Sequence, residues 1–470
     1  MNILASERAV AQPGFNRWLI PPAALAVHLC IGQVYALSMF SEPLTRIIGV
    51  TVSAPEDWSL RALAPLFVVA ISVLGLSTTI AGNWIDRQGP RAVMFLAACC
   101  FSGGLLVAAL GIFTHQLWLL YLGYGGLGGV GLGLGYVAPV STLIRWFPDR
   151  RGLASGLAIM GFGGGAMIAA PLSRDLMDFF RSPTSSGIGE TLIAMAIVYF
   201  ISMSIGAFTI RVPSPGWRPE GMVQDDGAPD AIVAGRGAQQ TVGGRQALKT
   251  PQFYLLWVLL CMNVTSGIEL LAHAPDKLLD TFPGVITTAA AAGFVGLLGL
   301  FNMSGRLIWS ASSDFLGRQH TYTVLLFFGA VFYAGISAIG QTSVTLFVVL
   351  YALAISIYGG CFAMIPAYIT DLFGSRNLTC IHGRLLSAWS VGVILSSLIS
   401  SLRAYQIGLG VPSSEVDDKM LYLAGVLLLV GLVCNLLIRP VSSRHHTPAA
   451  AFGQAEDAKK AERSLTEQGR

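Results

Sequence analysis

Residues 145–156 read RWFPDRRGLASG, from Arg145 to Gly156, and long apolar runs bound the stretch on both sides. Three arginines, an aspartate and a proline between such runs make a basic turn too short to be a domain of its own. That is the pattern of a short loop at a membrane surface, and it points to a many-helix membrane protein, not a soluble domain.

Outward from this loop the composition agrees. Of 470 residues, 54% are hydrophobic and only 11% charged, against about a quarter charged in soluble domains. Lipid is therefore the solvent around most of the chain. About 20 apolar residues cross a bilayer as a helix. Twelve runs qualify: Trp18 to Phe40, Leu60 to Trp84, Ala92 to Thr114, Leu117 to Ile144, Gly152 to Leu172, Thr191 to Ile210, Phe253 to Ala274, Val285 to Trp309, Thr321 to Gly340, Ser343 to Thr370, Ile381 to Leu402 and Met420 to Ile438. Helix is the expected form because unpaired backbone groups in hydrocarbon cost too much for anything but helices or closed barrels. The fold class predicted is thus all-α and polytopic.

The 29 lysines and arginines divide unevenly between the two faces such a chain would have. Arg46, Arg61, Arg174, Arg181, Lys277, Arg403 and Lys419 fall on one, and all the others collect on the other, together with both termini. The positive-inside rule makes the richer face cytoplasmic, predicting both termini inside and placement in the plasma (inner) membrane. The net charge of +4 is then a topology signal, and no nucleic-acid partner is expected. The first apolar run is full length with no small-residue cleavage site after it, so it is predicted to stay as the first helix. The seven cysteines lie within or one residue outside apolar runs. Without metal-like spacing, they read as small packing residues.

The longest polar interruption, residues 211–250, carries Pro213, Pro215 and Pro219 and a middle reading DDGAPDAIVAGRGAQQ. Such a segment buries little. It is predicted to be a flexible cytoplasmic linker dividing an N-terminal six-helix bundle (1–210) from a C-terminal one (251–440), with a cytoplasmic tail over 441–470. The halves repeat. GNWIDRQGPR after the second run contains Gly82, Asp86, Arg87, Gly89 and Arg91, and SASSDFLGR after the eighth contains Ser310, Asp314, Gly317 and Arg318. With Gly82 set against Ser310, each Asp follows four residues later and each Gly three beyond that. Equivalent loops in two six-helix halves mark a transporter built from repeats, with its substrate site near the midplane.

The G-x-x-x-D-R-x-G-x-R loop at Gly82–Arg91 resembles the most widespread motif of the major facilitator superfamily. Within it, RWFPDRRGLASG, LKTPQFYLLW entering the seventh helix and GRLIWSASSDFLGR leaving the eighth resemble the oxalate/formate antiporter family, which is related to the monocarboxylate transporters. The likeness spans nearly the whole chain except the linker and the tail after Arg439. It implies a secondary transporter of small organic anions. Gly126, Gly128 and Gly131 also satisfy G-x-G-x-x-G, but they sit inside GYGGLGGVGLGLGY with no strand before and no helix N-terminus after. They read as close-packing or flexing positions in a membrane helix, as do Gly156, Gly161, Gly163, Gly164 and Gly165.

Ionisable groups within apolar runs are costly and are functional candidates by default. Asn302 and Arg306 stand four apart and share a helix face. Arg306 lies about 12 Å of helix from Asp314, deep enough to face a central cavity, and a guanidinium can clamp a carboxylate with two parallel hydrogen bonds. The resemblance implies that role, since an arginine in this GR position contacts carboxylate substrate in the family; the alternative is a snorkelling arginine paired with an inner-loop acid. The family's oxalate exchangers have a lysine in helix eleven, and matching HGRLLSAWSVG to that helix puts Trp389 in its place. One buried cation suits a monocarboxylate, whereas a dianion would leave a charge uncompensated. The indole is expected either to cover an apolar substrate tail or to pack.

Tyr35, Tyr136, Tyr358 and Phe362 lie on helices one, four and ten, which line the cavity in this superfamily, and Tyr35 and Tyr136 match family tyrosines. Each also reads as a core aromatic with a satisfied hydroxyl. His28 falls mid-helix in the first run, and Glu269 and His273 share a face toward the outer end of the seventh. His28 and Glu269 are the proton-coupling candidates, against structural hydrogen-bonding roles. Glu269 is not expected to pair directly with Arg306, and His382 and Arg384 are assigned to topology. The Asp86/Arg87 and Asp314/Arg318 loops, with Gly82, are expected to latch the inner face.

The sequence therefore predicts a monomeric transporter of a small carboxylate, most simply a monocarboxylate such as lactate, pyruvate or formate, by proton symport or anion exchange, without cofactor or metal. A dicarboxylate exchanger and a non-transporting carboxylate sensor are the alternatives. An integral-membrane enzyme is disfavoured because no metal cluster or nucleophile–base pair stands out.

Overall fold

The computed structural model of the protein describes residue 4 and residues 6–214, 216–219 and 241–446. The middle of the expected linker and most of the expected tail lie outside the described residues. Among the described residues, twelve helices are long and apolar enough to span a membrane. They are α1 (Arg17–Ala36), α2 (Leu60–Gln88), α3 (Pro90–Phe113), α4 (Leu117–Trp146), α5 (Arg151–Phe180), α6 (Ile188–Thr209), α7 (Pro251–Thr281), α8 (Ala289–Leu316), α9 (Arg318–Ala338), α10 (Val344–Phe373), α11 (Leu378–Gly408) and α12 (Ser413–Leu437). The fold is all-α, in two six-helix halves.

Local chemistry sets the helix ends. Prolines begin α3 and α7, where their missing N–H costs nothing. Thr250 and Thr287 cap α7 and α8 by accepting from the Phe253 and Ala290 amides. The two repeat-motif glycines do the same work in both halves. Gly89 between α2 and α3 and Gly317 between α8 and α9 each have φ +83°, a conformation that a residue with a Cβ rarely adopts.

Position in the bundle follows from burial. In α4 and α10, 89% and 72% of the most apolar window is buried in protein, against 44% in α6 and 39% in α12. The former are inner helices, and the latter turn residues such as Ile201, Ile205, Val426 and Val433 outward to lipid. Glycines bring α3 and α4 into backbone contact, as where a Cβ on Gly131 would lie 2.5 Å from the Phe101 nitrogen, which is the packing use of small residues. Part of this glycine run, Tyr121–Leu127, is a π-helical turn.

The halves meet mainly along two pairs, α5 with α8 and α2 with α11. Glycines open both. A Cβ on Gly156 would stand 2.8 Å from the Arg306 carbonyl, and one on Gly82 3.0 Å from the Cys380 Cα. The ends of the linker are docked: Val212 and Ala11 pair, and the Val242 amide donates to the Phe373 carbonyl at 3.0 Å. The eighth run was expected to end at Trp309, but the helix continues to Leu316. Within the serine-rich stretch after Trp309 the hydroxyls of Ser312 and Ser313 are satisfied by the carbonyls of Ile308 and Ser310, so they add no unmet polar group to the helix. Arg306 consequently sits about 15 Å of helix from that end.

Candidate functional site

The centre is built on α8. Asn302 and Arg306 lie one turn apart, and the Arg306 Nε donates to the Asn302 Oδ1 at 2.8 Å. Arg306 is fully buried, with its guanidinium carbon 5.3 Å from the centre of the Phe362 ring on α10. Both terminal nitrogens, Nη1 and Nη2, are buried without a hydrogen-bond partner. Two glycines give it room. A Cβ on Gly163 of α5 would fall 2.8 Å from the Arg306 Nε, and one on Gly359 of α10 would fall 2.9 Å from the Asn302 Oδ1.

Around this cation stands an aromatic cage. Phe362 and Trp389 pack with ring centres 4.8 Å apart, Phe162 lies 5.3 Å from Trp389, and Tyr136 lies 5.7 Å from Trp389 and 5.5 Å from Phe162. Tyr35 abuts Phe162 at 5.3 Å, and its hydroxyl meets that of Tyr358 at 3.4 Å, joining α1 to α10. Every substrate-binding candidate from the sequence is drawn into this cluster. The Tyr136 hydroxyl, the Trp389 Nε1 and the His382 Nδ1 are also buried and unpartnered. Unmet donors in such number are unusual in a protein interior.

Two members escaped the sequence reading. Phe162 lies in a glycine-rich run of which only the glycines were singled out. His382, assigned to topology, is 1% exposed and 5.8 Å from the Tyr136 ring. In the structure α11 is interrupted at Leu386, between Leu378–Leu385 and Ser387–Gly408.

His28 is buried elsewhere in the N-terminal half. Its Nδ1 lies 2.5 Å from the Ala158 carbonyl of α5 and its Nε2 3.1 Å from the Tyr136 carbonyl of α4. Both ring nitrogens are thus occupied by the protein. Glu269 is also outside the central cluster: its Oε2 accepts from Ser396 at 3.1 Å and Ser400 at 2.9 Å, and its Oε1 lies 3.3 Å from the His273 Nε2.

At the linker face the repeat loops grip the opposite half. Asp314 accepts from the Gly152 and Leu153 amides at 2.8 and 2.9 Å, so an acid of the C-terminal half caps the start of α5. Arg318 holds Asp314 at 2.5 Å and Asp371 at 3.1 Å, and Asp371 also receives Arg151 at 3.0 Å. Asp86 faces the Thr379 hydroxyl and the Cys380 amide at the start of α11 and pairs with Arg145 at 3.3 Å. A carboxylate at a helix N-terminus is favourable for hydrogen-bonding and dipole reasons alike. Arg87 is exposed.

Two repeated six-helix halves that close over a buried, polar-lined centre describe a membrane transporter. The chain belongs to the Major Facilitator Superfamily, whose profile matches residues 23–397. It is 27% identical to the oxalate:formate antiporter of Oxalobacter formigenes, over 84% of this chain and 86% of that one. It is 25% identical to apicoplast pyruvate carrier 1 of Toxoplasma gondii (90% and 89% covered) and 24% identical to human monocarboxylate transporter 11 (88% and 82%). Among solved structures it resembles the proton:xylose symporter XylE with bound 6-bromo-6-deoxy-D-glucose, with TM-score 0.63 and 14% identity over 89% of this chain and 94% of that one. A bacterial ferroportin homologue in its outward-facing state matches with TM-score 0.62, 15% identity and coverage of 89% and 98%. Both likenesses concern the fold.

Proposed function

We propose that the protein is a secondary active transporter of a small monocarboxylate, working by proton symport or anion exchange. Both termini would lie in the cytoplasm and the chain in the plasma (inner) membrane. The observation that carries this reading is Arg306: a fully buried guanidinium with two unpartnered N–H-bearing nitrogens. An uncompensated buried charge is strongly unfavourable, and a carboxylate placed across Nη1 and Nη2 removes the penalty with two parallel bonds. Asn302 fixes the fork by holding Nε. The Tyr136, Trp389 and His382 donors then serve a second acceptor on the anion, such as a 2-oxo or 2-hydroxy oxygen, while Phe162 and Phe362 cover its carbon atoms. The relatives named for pyruvate and monocarboxylate support this class. Alternating access would rock the halves about the cluster, with the Asp314 and Asp86 contacts released when the linker face opens.

Counterflow of labelled carboxylates in proteoliposomes tests the reading. Pyruvate and lactate should be favoured over propionate and formate, which both leave the second donors unmet. Binding without counterflow would instead indicate a sensor.

An oxalate exchanger is the second reading, favoured by the oxalate:formate antiporter among the relatives. Charge decides between them. With Trp389 in the cage, Arg306 is the one arginine or lysine side chain of the cluster among the described residues. A dianion must therefore strip a second carboxylate of water with only neutral donors and no second cation to meet it, at about several kcal/mol. Oxalate should compete poorly with a transported monocarboxylate in the wild type and better in Trp389→Lys. Strong, equal competition by oxalate in both proteins would transfer the assignment to dicarboxylate exchange.

Gly163→Ala provides a steric test. The added methyl must displace the Arg306 Nε or the Asn302 amide, so the apparent KM should rise roughly tenfold, the cost of one misplaced charged hydrogen bond, while folded yield is retained. An unchanged KM would mean that this guanidinium position is not the binding geometry.

A further inference from the structure

Away from the linker face, the C-terminal half encloses a second polar centre. Helices α7, α9, α10, α11 and α12 surround a cavity of about 20 Å³ lined by Glu269, His273, Lys277, Tyr333, Arg403 and Asp417 among others. That is room for one water-sized occupant. From sequence, Lys277 and Arg403 belonged to an aqueous face, yet Lys277 is 2% exposed and the Arg403 side chain 13%. The fixed charges pair off: Lys277 with Asp418 at 2.8 Å, and Arg403 with the Asp417 Oδ1 at 2.5 Å. Glu269 is the acid left over. Its Oε2 has only the neutral hydroxyls of Ser396 and Ser400, and His273 is the single base beside its Oε1. Asp276 adds a further negative charge near Arg403. From α9 and α10 the chamber is faced by Tyr333 and Tyr351.

Two atoms at this chamber are unsatisfied, the Glu269 Oε1 and the Asp417 Oδ2, both buried without a hydrogen-bond partner. Both accept and neither donates, so the occupant that satisfies them must donate a hydrogen bond or carry positive charge. The local excess of negative charge favours a positive occupant over plain water. We propose that this chamber is a cation site separate from the Arg306 cluster, taking one monovalent cation, either sodium or a proton held on the carboxylate oxygens of Glu269 and Asp417. Helix α11 bears both Trp389 of the central cage and Ser396, Ser400 and Arg403 of the chamber. Occupancy would hold α7, α11 and α12 together and so bias the helix that forms the cage. Only this last consequence, coupling, rests on the transport reading; the site itself rests on the chamber.

The experiment is binding to the intact purified protein with no carboxylate present, so a failure of transport in the same sample counts against the proposed function and not against the chamber. One arm measures ²²Na⁺ binding at about pH 8 in a choline background, and the other counts protons taken up between about pH 8 and pH 5 without sodium. The wild type is compared with the double variant Glu269→Gln/Asp417→Asn. Either the sodium arm should show about one ion per chain in the wild type and none in the variant, or the proton arm should show about one proton fewer per chain in the variant than in the wild type, and which arm responds names the ion. If the double variant does not fold, Glu269→Asp keeps the charge but withdraws the oxygens by one methylene. It should weaken sodium binding by about tenfold, one lost ligand contact, or displace the proton-uptake curve. Wild-type behaviour of the variants in both arms overturns the proposal.

Discussion

Arg306→Met is expected to abolish measurable counterflow of a monocarboxylate while raising the melting temperature of the substrate-free protein. Loss of activity follows because truncating one partner of a buried charged pair costs about 2–5 kcal/mol, roughly thirty- to several-thousand-fold in affinity. The gain in stability follows from the same atoms. Nη1 and Nη2 are buried without partners, so in the empty protein the charge is a net cost that a thioether of similar length removes. Function held at the expense of stability is common at binding sites. Arg306→Lys should lose less, about ten- to a hundredfold, because an ammonium keeps the charge but not the fork; Asn302→Ala should lose about tenfold, one charged hydrogen bond. A purely structural arginine predicts the opposite sign for stability. Near-wild-type counterflow by correctly inserted Arg306→Met would remove the central claim.

Asp314→Ala is expected to unlatch the linker face. In the described state this carboxylate receives the Gly152 and Leu153 amides and Arg318. Charged hydrogen bonds contribute about 1.5–3 kcal/mol each. Even after water replaces part of that, a loss near 3 kcal/mol would shift the open-to-closed ratio of the halves by roughly a hundredfold. The protein supplies its own reporter. Cys380 is 2% exposed and lies beneath Gly82 at the companion contact, so opening uncovers it. Maleimide labelling of Cys380, followed by mass spectrometry of its peptide, should accelerate strongly in Asp314→Ala and less in Asp86→Asn, whose Arg145 pair is longer and more exposed. A Cys380 labelling rate equal to wild type in Asp314→Ala would show that the loop is a structural corner and not a latch.

What the sequence by itself determined is everything carried along one dimension. Twelve spans are legible because lipid demands an unbroken apolar run of fixed length. The duplicated Asp and Gly spacings are legible because a reversal with positive φ needs glycine at one position, and the same position recurs in both halves. Pairs on one helix face are legible from helical period alone, as with Asn302 and Arg306 or Glu269 and His273.

Only the tertiary structure decided which faces meet. In a soluble protein the polar face of a helix announces the outside, but here lipid and protein interior are both apolar and that contrast is lost. Nothing in the local sequence therefore separates Phe162 and His382, which join the central cage, from lipid-facing or loop-facing neighbours. Lys277 and Arg403, counted with the outer-face charges, turn inward because Asp418 and Asp417 of α12 are there to receive them. Asp314 reads as part of its own loop, yet it caps α5 of the other half. The Asp314 contacts join residues 162 and 161 positions apart and exist only once the two bundles have closed on each other, whereas the Lys277 and Arg403 pairs, 141 and 14 positions apart, form within the C-terminal bundle.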